Sequence, residues 1–283
     1  MTPPRIGFLL PRYSAKSRSY MPRVVAAAAD LGAQVEVIHP AAQVLPLREL
    51  RVVHDLYVLR KTSGYAMSLA AALHELGATI INPYPVTAAL TDKIVATRIL
   101  HSAGVPVPDT FVATHPGELA PLLATGPLVL KPYRGGGGHG VRVVRTAPEL
   151  EQGSYERYEP VFAQRYLPHD GRDRKIYAIG GRLFGVKKVF PRPTEEAKQG
   201  EPFALTPALE EIARRVGAAF GLDLYGVDII ESDGRPWVVD VCSIPGFKGV
   251  PDAPRLLARY LVRAACRAVR SRGRSTRGAL MLR

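Results

Sequence analysis

The sequence predicts an α/β chain in which a parallel α/β lobe is followed by two α+β lobes, and three observations carry that prediction. Short apolar strands alternate with helical patterns through residues 1–90, as parallel strands joined by crossover helices require. A glycine tract, Gly135, Gly136, Gly137, Gly138 and Gly140 with His139 among them, stands between two apolar runs. Further on, Asp228 and Asp240 lie on two strands that meet at a Ser232-Asp233-Gly234 turn.

In the first lobe (1–90), Ile6 to Leu10 reads as a strand and Met21 to Leu31 as an alanine-rich helix closed by Gly32. Val35 to Ile38 is the next strand, broken at Pro40, and Leu56 to Leu59 the third. That third strand ends in Arg60-Lys61. Ligands of open parallel sheets sit outside the carboxyl ends of strands, so these cations are candidate substrate contacts or else a solvated basic turn. Ala66 to Leu76 is a helix with Gly77 after it, Thr79 to Ile81 a strand, and Asn82 to Pro85 closes the lobe.

The second lobe (91–160) opens on a helix from Thr91 to Leu100, ending at Gly104, with Val105 to Thr110 as an extended connector. Lys93 falls in its first turn, where a cation opposes the helix dipole and a negative ligand would account for it. Consecutive residues without Cβ let backbone N–H groups converge on a phosphate, and the glycine tract admits three such readings. Gly135, Gly137 and Gly140 have the dinucleotide-fingerprint spacing, but Val141 to Val144 alternates like a strand where that motif needs a helix. A Walker A loop needs Lys and then Ser or Thr after the last glycine, and Val141-Arg142 stand there instead. Strand, loop, strand remains: a hairpin flap over phosphates, with Lys131 at the end of the first strand as a point charge, or a plain surface hairpin. A short helix follows near Pro148 to Glu151.

In the third lobe (161–270), Val161 to Leu167 is a strand that leaves its sheet at Pro168. Asp173 to Ile179 and Arg182 to Lys188 form a hairpin across Gly180-Gly181, with Asp173 and Lys175 on one face. Phe190 to Leu205 is polar and suits a loop, and Pro207 to Phe220 is a helix ended by Gly221. Counting back from the Ser232-Asp233-Gly234 turn brings Asp228 opposite Asp240, each among valines and isoleucines. Two facing carboxylates in apolar surroundings resist ionisation unless a divalent cation lies between them, so the pair is read as a Mg²⁺ site. The alternative is a carboxylate salt-bridged to a neighbouring cation. Arg255, Arg259 and Arg263 fall at helical spacing beside Leu256, Leu257, Tyr260 and Leu261, and the basic tail 271–283 reads as disordered.

The net charge is +13, and the chain after Asp252 holds arginines and no acid, so the tail makes much of the excess. The remaining balance suits an acidic ligand and does not require nucleic acid. Cys242 and Cys266 are too few for a disulfide framework and not spaced as CxxC. No apolar run reaches signal-peptide or transmembrane length, so the expectation is a cytoplasmic chain without membrane partners.

On these motifs the chain resembles the ATP-grasp superfamily, on the side holding ribosomal S6 modification-type (RimK-like) glutamate ligases and glutathione synthetases. The motifs are Thr91-Asp92-Lys93 with the connector after Gly104, Leu130-Lys131-Pro132 with its glycine flap, Gln164-Arg165-Tyr166, Gly171 to Lys175, Gly226-Val227-Asp228, and Asp240-Val241-Cys242 before Pro245-Gly246-Phe247. The resemblance implies an ATP-grasp fold clamping ATP between the second and third lobes. It implies Lys93, Lys131 and the loop Gly135 to Gly140 on the phosphates, the backbone of Gln164, Arg165, Tyr166 and Leu167 near adenine, and Asp173 among the nucleotide contacts. Lys175, Lys188 and Arg192 would serve the triphosphate or the substrate, and Asp228, Asp240 and Cys242 the metal, Mg²⁺ or Mn²⁺. The implied activity joins a small-molecule or peptide carboxylate to an amine, through an acyl phosphate. These ligases usually carry Glu-x-Asn where this chain has Asp240 and Cys242, and the Asp form also resembles inositol polyphosphate kinases, which phosphorylate a hydroxyl. A further alternative is a protein that has lost catalysis and binds polyanions, nucleic acid included, through its tail.

Overall fold

The structure, a computed structural model, describes all residues except 1, 15, 41–43, 61–63, 136–137, 153–158, 190–193 and 281–283, and the backbone alone of 195 and 272–280. The chain forms two compact units. One holds Met1–Ala88, Ile179–Arg182 and Ser243–Arg283; the other holds Ala89–Ala178 and Leu183–Cys242.

The first unit is built on β1 (Arg5–Leu9), α1 (Met21–Asp30), β2 (Gln34–Ile38), β3 (Leu56–Leu59), α2 (Tyr65–Glu75) and β4 (Ile80–Ile81). Its sheet has the order β2-β1-β3-β4 and is parallel throughout, as the alternation of strand and helix predicts. Ala66, Leu69, Ala70 and Leu73 recur at helical spacing on one face of α2 and pack on Leu9, Tyr57, Leu59 and Ile80 of the sheet. Helix α3 (Tyr84–Thr91) follows, where the sequence suggests only a closing turn.

In the second unit α4 (Lys93–Ser102) starts two residues later than expected. Asp92, not Thr91, is its cap, accepting the N–H groups of Ile94 and Val95. Then come β5 (Thr110–Ala113), a 3-10 segment Pro116–Thr125, β6 (Leu128–Pro132), β7 (Arg142–Val144), α5 (Ala147–Leu150) and β8 (Val161–Arg165). The sheet order is β5-β8-β6-β7. Strand β8, read from sequence as opening the third lobe at residue 161, is a central strand here, antiparallel to both β5 and β6. Its placement is a matter of long-range pairing, since Val161 and Ala163 join Leu128, Leu130, Val144 and Leu150 in one core.

A second sheet in this unit, β11-β10-β9-β12-β13, uses β9 (Arg172–Ile179), β10 (Arg182–Val189), β11 (Glu201–Phe203), β12 (Leu224–Ser232) and β13 (Arg235–Cys242). Short α6 (Glu195–Gln199) and β11 occupy part of the stretch expected to be loop. Helix α7 (Pro207–Phe220) is capped by Thr206 and ends at left-handed Gly221, as read. The chain then returns to the first unit as α8 (Ala253–Leu280), which packs against α1. The helix continues through the region expected to be disordered, because a helix already nucleated on packed turns extends through Arg, Ala and Ser at little cost despite Gly273. No helix among the described residues is long and apolar enough to cross a membrane.

Candidate active site

All the geometry described here lies in the second unit. Strand β6 turns Leu128 and Leu130 into the core and leaves Lys131 half-buried beside them. The Lys131 Nζ donates to Gln164 Oε1 at 2.6 Å and to the Val239 carbonyl at 3.0 Å, so it ties the first sheet of this unit to β13. Gln164 is buried and held in turn by its Nε2, which donates to Thr110 Oγ1 at 3.1 Å. Burial lowers the Lys131 pKa and the Lys93 ammonium lowers it further; Asp240 and Asp228 oppose them, leaving it at about 8.

Lys93 stands in the first turn of α4, and its Nζ donates to the Gly135 carbonyl at 2.8 Å. Its backbone N–H donates to Tyr133 O at 2.9 Å, and Asp92 pairs with Arg134 at 3.6 Å. The root of the glycine loop is thereby stitched to a helix N-terminus. The loop joins β6 to β7 as an antiparallel hairpin, as expected from the strand-like Val141 to Val144. Gly140 needs to be glycine: its φ is +72°, and a Cβ there would lie 2.8 Å from Pro132 Cγ. Gly135 and Gly138 also have positive φ, and His139 is exposed. Gly136 and Gly137 lie outside the described residues, as do Lys61 and Arg192.

Asp228 and Asp240 are directly opposed in the β12–β13 register, with a bulge after Asp228. Lys175, on the neighbouring strand β9, forms an ion pair with Asp228. Burial pushes the Lys175 pKa down, but Asp228, Tyr177 and Cys242 push it up by more, so the ammonium stays charged. The Asp240 pKa is raised by burial and by the Asp228 carboxylate, against the pull of Lys93, Lys131 and Lys175. Both readings of the acid pair thus meet in one place: facing carboxylates, and a salt bridge on one of them.

Asp228, Asp240 and Cys242 do not make the three-ligand metal group expected from sequence. Among the described residues no three His, Cys, Asp or Glu side chains converge in that way. Cys242 is exposed at the end of β13. The expected nucleotide contact of Arg165 is through its backbone, and its side chain is engaged elsewhere. Its guanidinium donates to Leu122 O at 3.2 Å and to Thr125 Oγ1 at 2.8 Å, tying down the end of the 3-10 segment. The Tyr166 N–H is taken by Pro127 O at 3.0 Å; Tyr166 and Leu167 are half-buried. Asp173 and Lys175 are half-buried and alternate along β9 as predicted. Lys188 is buried, its Nζ donating to Tyr177 Oη at 3.0 Å and lying 5.4 Å from that ring's centre. Arg60 is half-buried in the first unit. Sequence reasoning missed Tyr177 and Thr110; the period-2 alternation Asp173, Lys175, Tyr177 could have found the first, whereas nothing local links Thr110 to Gln164.

Cations gathered about an acid pair beneath a glycine hairpin, on antiparallel sheets, suit a polyanion such as a nucleotide together with a divalent cation. The pattern of the RimK-like ATP-grasp domain matches residues 90–257, and the chain belongs to that family. It is 26% identical over 202 residues to a probable α-L-glutamate ligase of Thioalkalivibrio sulfidiphilus, covering 67% of each chain. It is 27% identical over 237 residues to the α-aminoadipate–LysW ligase LysX of Saccharolobus solfataricus, covering 77% of this chain and 86% of that one. In fold it is similar to a RimK-domain ATP-grasp protein of Sphaerobacter thermophilus, with a TM-score of 0.72 at 22% identity over 91% of this chain and 99% of the other. The protein is an ADP-forming carboxylate–amine ligase of this family.

Proposed function

We propose that the second unit binds ATP with Mg²⁺ and uses it to join the amine of an acidic α-amino acid to a carboxylate borne by an amino acid or peptide. The observation that carries this reading is the gathering of Lys93, Lys131 and Lys175 around the opposed Asp228 and Asp240. The likeness to relatives named for glutamate and α-aminoadipate supports the acidic amine donor.

A carboxylate oxygen attacks the γ-phosphorus and ADP leaves; the amine nitrogen then attacks the acyl carbon, and phosphate departs with its C–O electron pair. Lys131, held in line by Gln164, and Lys93 at a helix N-terminus offset the charge of the phosphates. Phosphates held there would meet the N–H groups that a glycine loop leaves unobstructed, and a covered acyl phosphate would be kept from water. Facing carboxylate oxygens suit a hard cation, so Asp228 and Asp240 would hold Mg²⁺ together with phosphate oxygens. Bound there, Mg²⁺ supplies charge neutralisation and polarises the transferring phosphoryl group. Lys175 positions Asp228 through their ion pair, and Lys188 on Tyr177 presents a second buried cation to the substrate side.

Incubation with ATP, Mg²⁺, candidate carboxylates and hydroxylamine tests the reading. Hydroxamate formation with release of ADP is expected; ADP with a stable phosphate ester and no hydroxamate would refute it. Cys242 supplies no oxygen where these ligases usually carry an amide, so Mn²⁺ should also support turnover. Cys242→Asn should lower the Mg²⁺ concentration for half-maximal ADP release, read in a metal titration; an unchanged titration in a normally folded variant would show that the position never meets the metal.

A further inference from the structure

The described part of α8 exposes Arg255, Arg259, Arg263, Arg267 and Arg270 along one line, at four-residue and finally three-residue intervals. That line is about 22 Å long at the rise of an α-helix. Among the described residues none of these guanidinium groups is paired with a carboxylate, and the sequence beyond Asp252 contains no acid to pair with. The opposite face is apolar and spent on packing, with Leu257, Ala258, Leu261, Ala264 and Ala265 buried. The arginines are therefore unneeded by the fold.

At its N-terminal end the stripe runs into a groove of about 580 Å³ between α1 and α8, to which Arg255 also belongs. Ala27, Leu31 and Pro254 give the groove an apolar lining, and Leu31 is 41% exposed. Arg23 and Arg255 are there matched by Asp30 and Asp252, so the groove has little net charge and takes an apolar side chain rather than an anion.

We propose that this face of the first unit is a docking surface for an acidic polypeptide segment, its carboxylates at helical spacing along the arginine stripe and one apolar residue in the groove. Arginine forks match carboxylates in pairs, and residues four apart on a facing helix repeat at the same distance of about 6 Å. A lipid surface fits less well, since Val269 is the one large apolar side chain exposed among the described residues of α8, and interfacial helices need an apolar face. Nucleic acid fits less well too, since the groove offers an apolar anchor point that a phosphate backbone does not use. The docking surface goes beyond the ligase chemistry and is separable from it.

The test uses the full chain without nucleotide and poly-L-glutamate carrying one terminal leucine, with double-stranded DNA and phosphatidylserine vesicles as alternative probes. Binding of the polypeptide should weaken steeply as salt rises. It should fall at least about 10-fold in Arg259→Glu/Arg263→Glu/Arg267→Glu and to a smaller extent in the Arg→Gln triple variant, which covers the case in which charge reversal perturbs folding. Leu31→Asp should abolish the advantage of the terminal leucine alone. Hydroxamate formation from a small carboxylate should stay at the parent level in these variants, so failure of docking and failure of the ligase reading are read separately. Equal affinity of parent and variants for the polypeptide, or tighter binding of DNA or vesicles than of the polypeptide, would overturn the proposal.

Discussion

Lys131→Ala is expected to weaken ATP binding by about 10- to 100-fold, the loss of a charge-assisted contact of about 1.5 to 3 kcal/mol. Calorimetric titration measures it, and unchanged affinity in a folded variant would remove Lys131 from the phosphate site. The pH dependence carries a second signature. Because the Lys131 pKa is depressed from 10.5 to about 8, the free protein loses this charge as pH rises through about 8, and affinity for the polyanion falls with it. ATP draws the proton back, so binding between about pH 8 and 9 takes up protons, visible in buffers of different ionisation enthalpy. Folding stability moves the other way. The unfolded chain holds the Lys131 proton up to the ordinary value while the folded one has released it, so stability rises with pH across the window from about 8 to 10.5. In the alanine variant both dependences should disappear.

Asp240→Asn should cut ADP formation by about 100-fold or more, because it removes one of the paired oxygen anions that would hold the metal against the phosphates. The same change should not destabilise the metal-free protein. Burial and the opposed Asp228 raise the Asp240 pKa above 3.8, so the folded state holds this proton more readily than the unfolded one. A carboxyl group of that kind stabilises the fold when protonated and loses the contribution as pH rises through its folded value, a cost of ionisation that asparagine does not carry. The expected pattern is low turnover with an unfolding temperature equal to or above that of the parent, measured without metal. A variant with the parent's Mg²⁺ dependence and turnover would place the metal elsewhere.

The relatives named as ligases agree with the expected reaction, and the motifs that carried the expectation are local ones. A reader of the sequence could count back from Ser232-Asp233-Gly234 and oppose Asp228 to Asp240, because the turn pins the register of a hairpin and the side chains alternate with period two. The glycine hairpin was legible for the same reason: Val141 to Val144 alternates, so β7 had to pair back on β6. Helices α1, α2 and α7 announced themselves by apolar spacing and terminal glycines.

What the sequence by itself determined, then, is what has its partners within one turn or one hairpin: most of the element types, the loop that suits phosphates, the paired acids and the excess of arginine after Asp252. Only the tertiary structure decided which cation meets which acid. Lys175 reaches Asp228 because β9 lies beside β12, and Lys131 finds Gln164 because β8 sits next to β6, while its second bond, to the Val239 carbonyl, reaches β13 of the other sheet. It also tied the Arg165 side chain to the 3-10 segment, left Cys242 exposed, and carried α8 on to Leu280. The physical reason is that strand order and helix extension are settled by burying apolar faces against distant parts of the chain, and no local period encodes which distant face that will be.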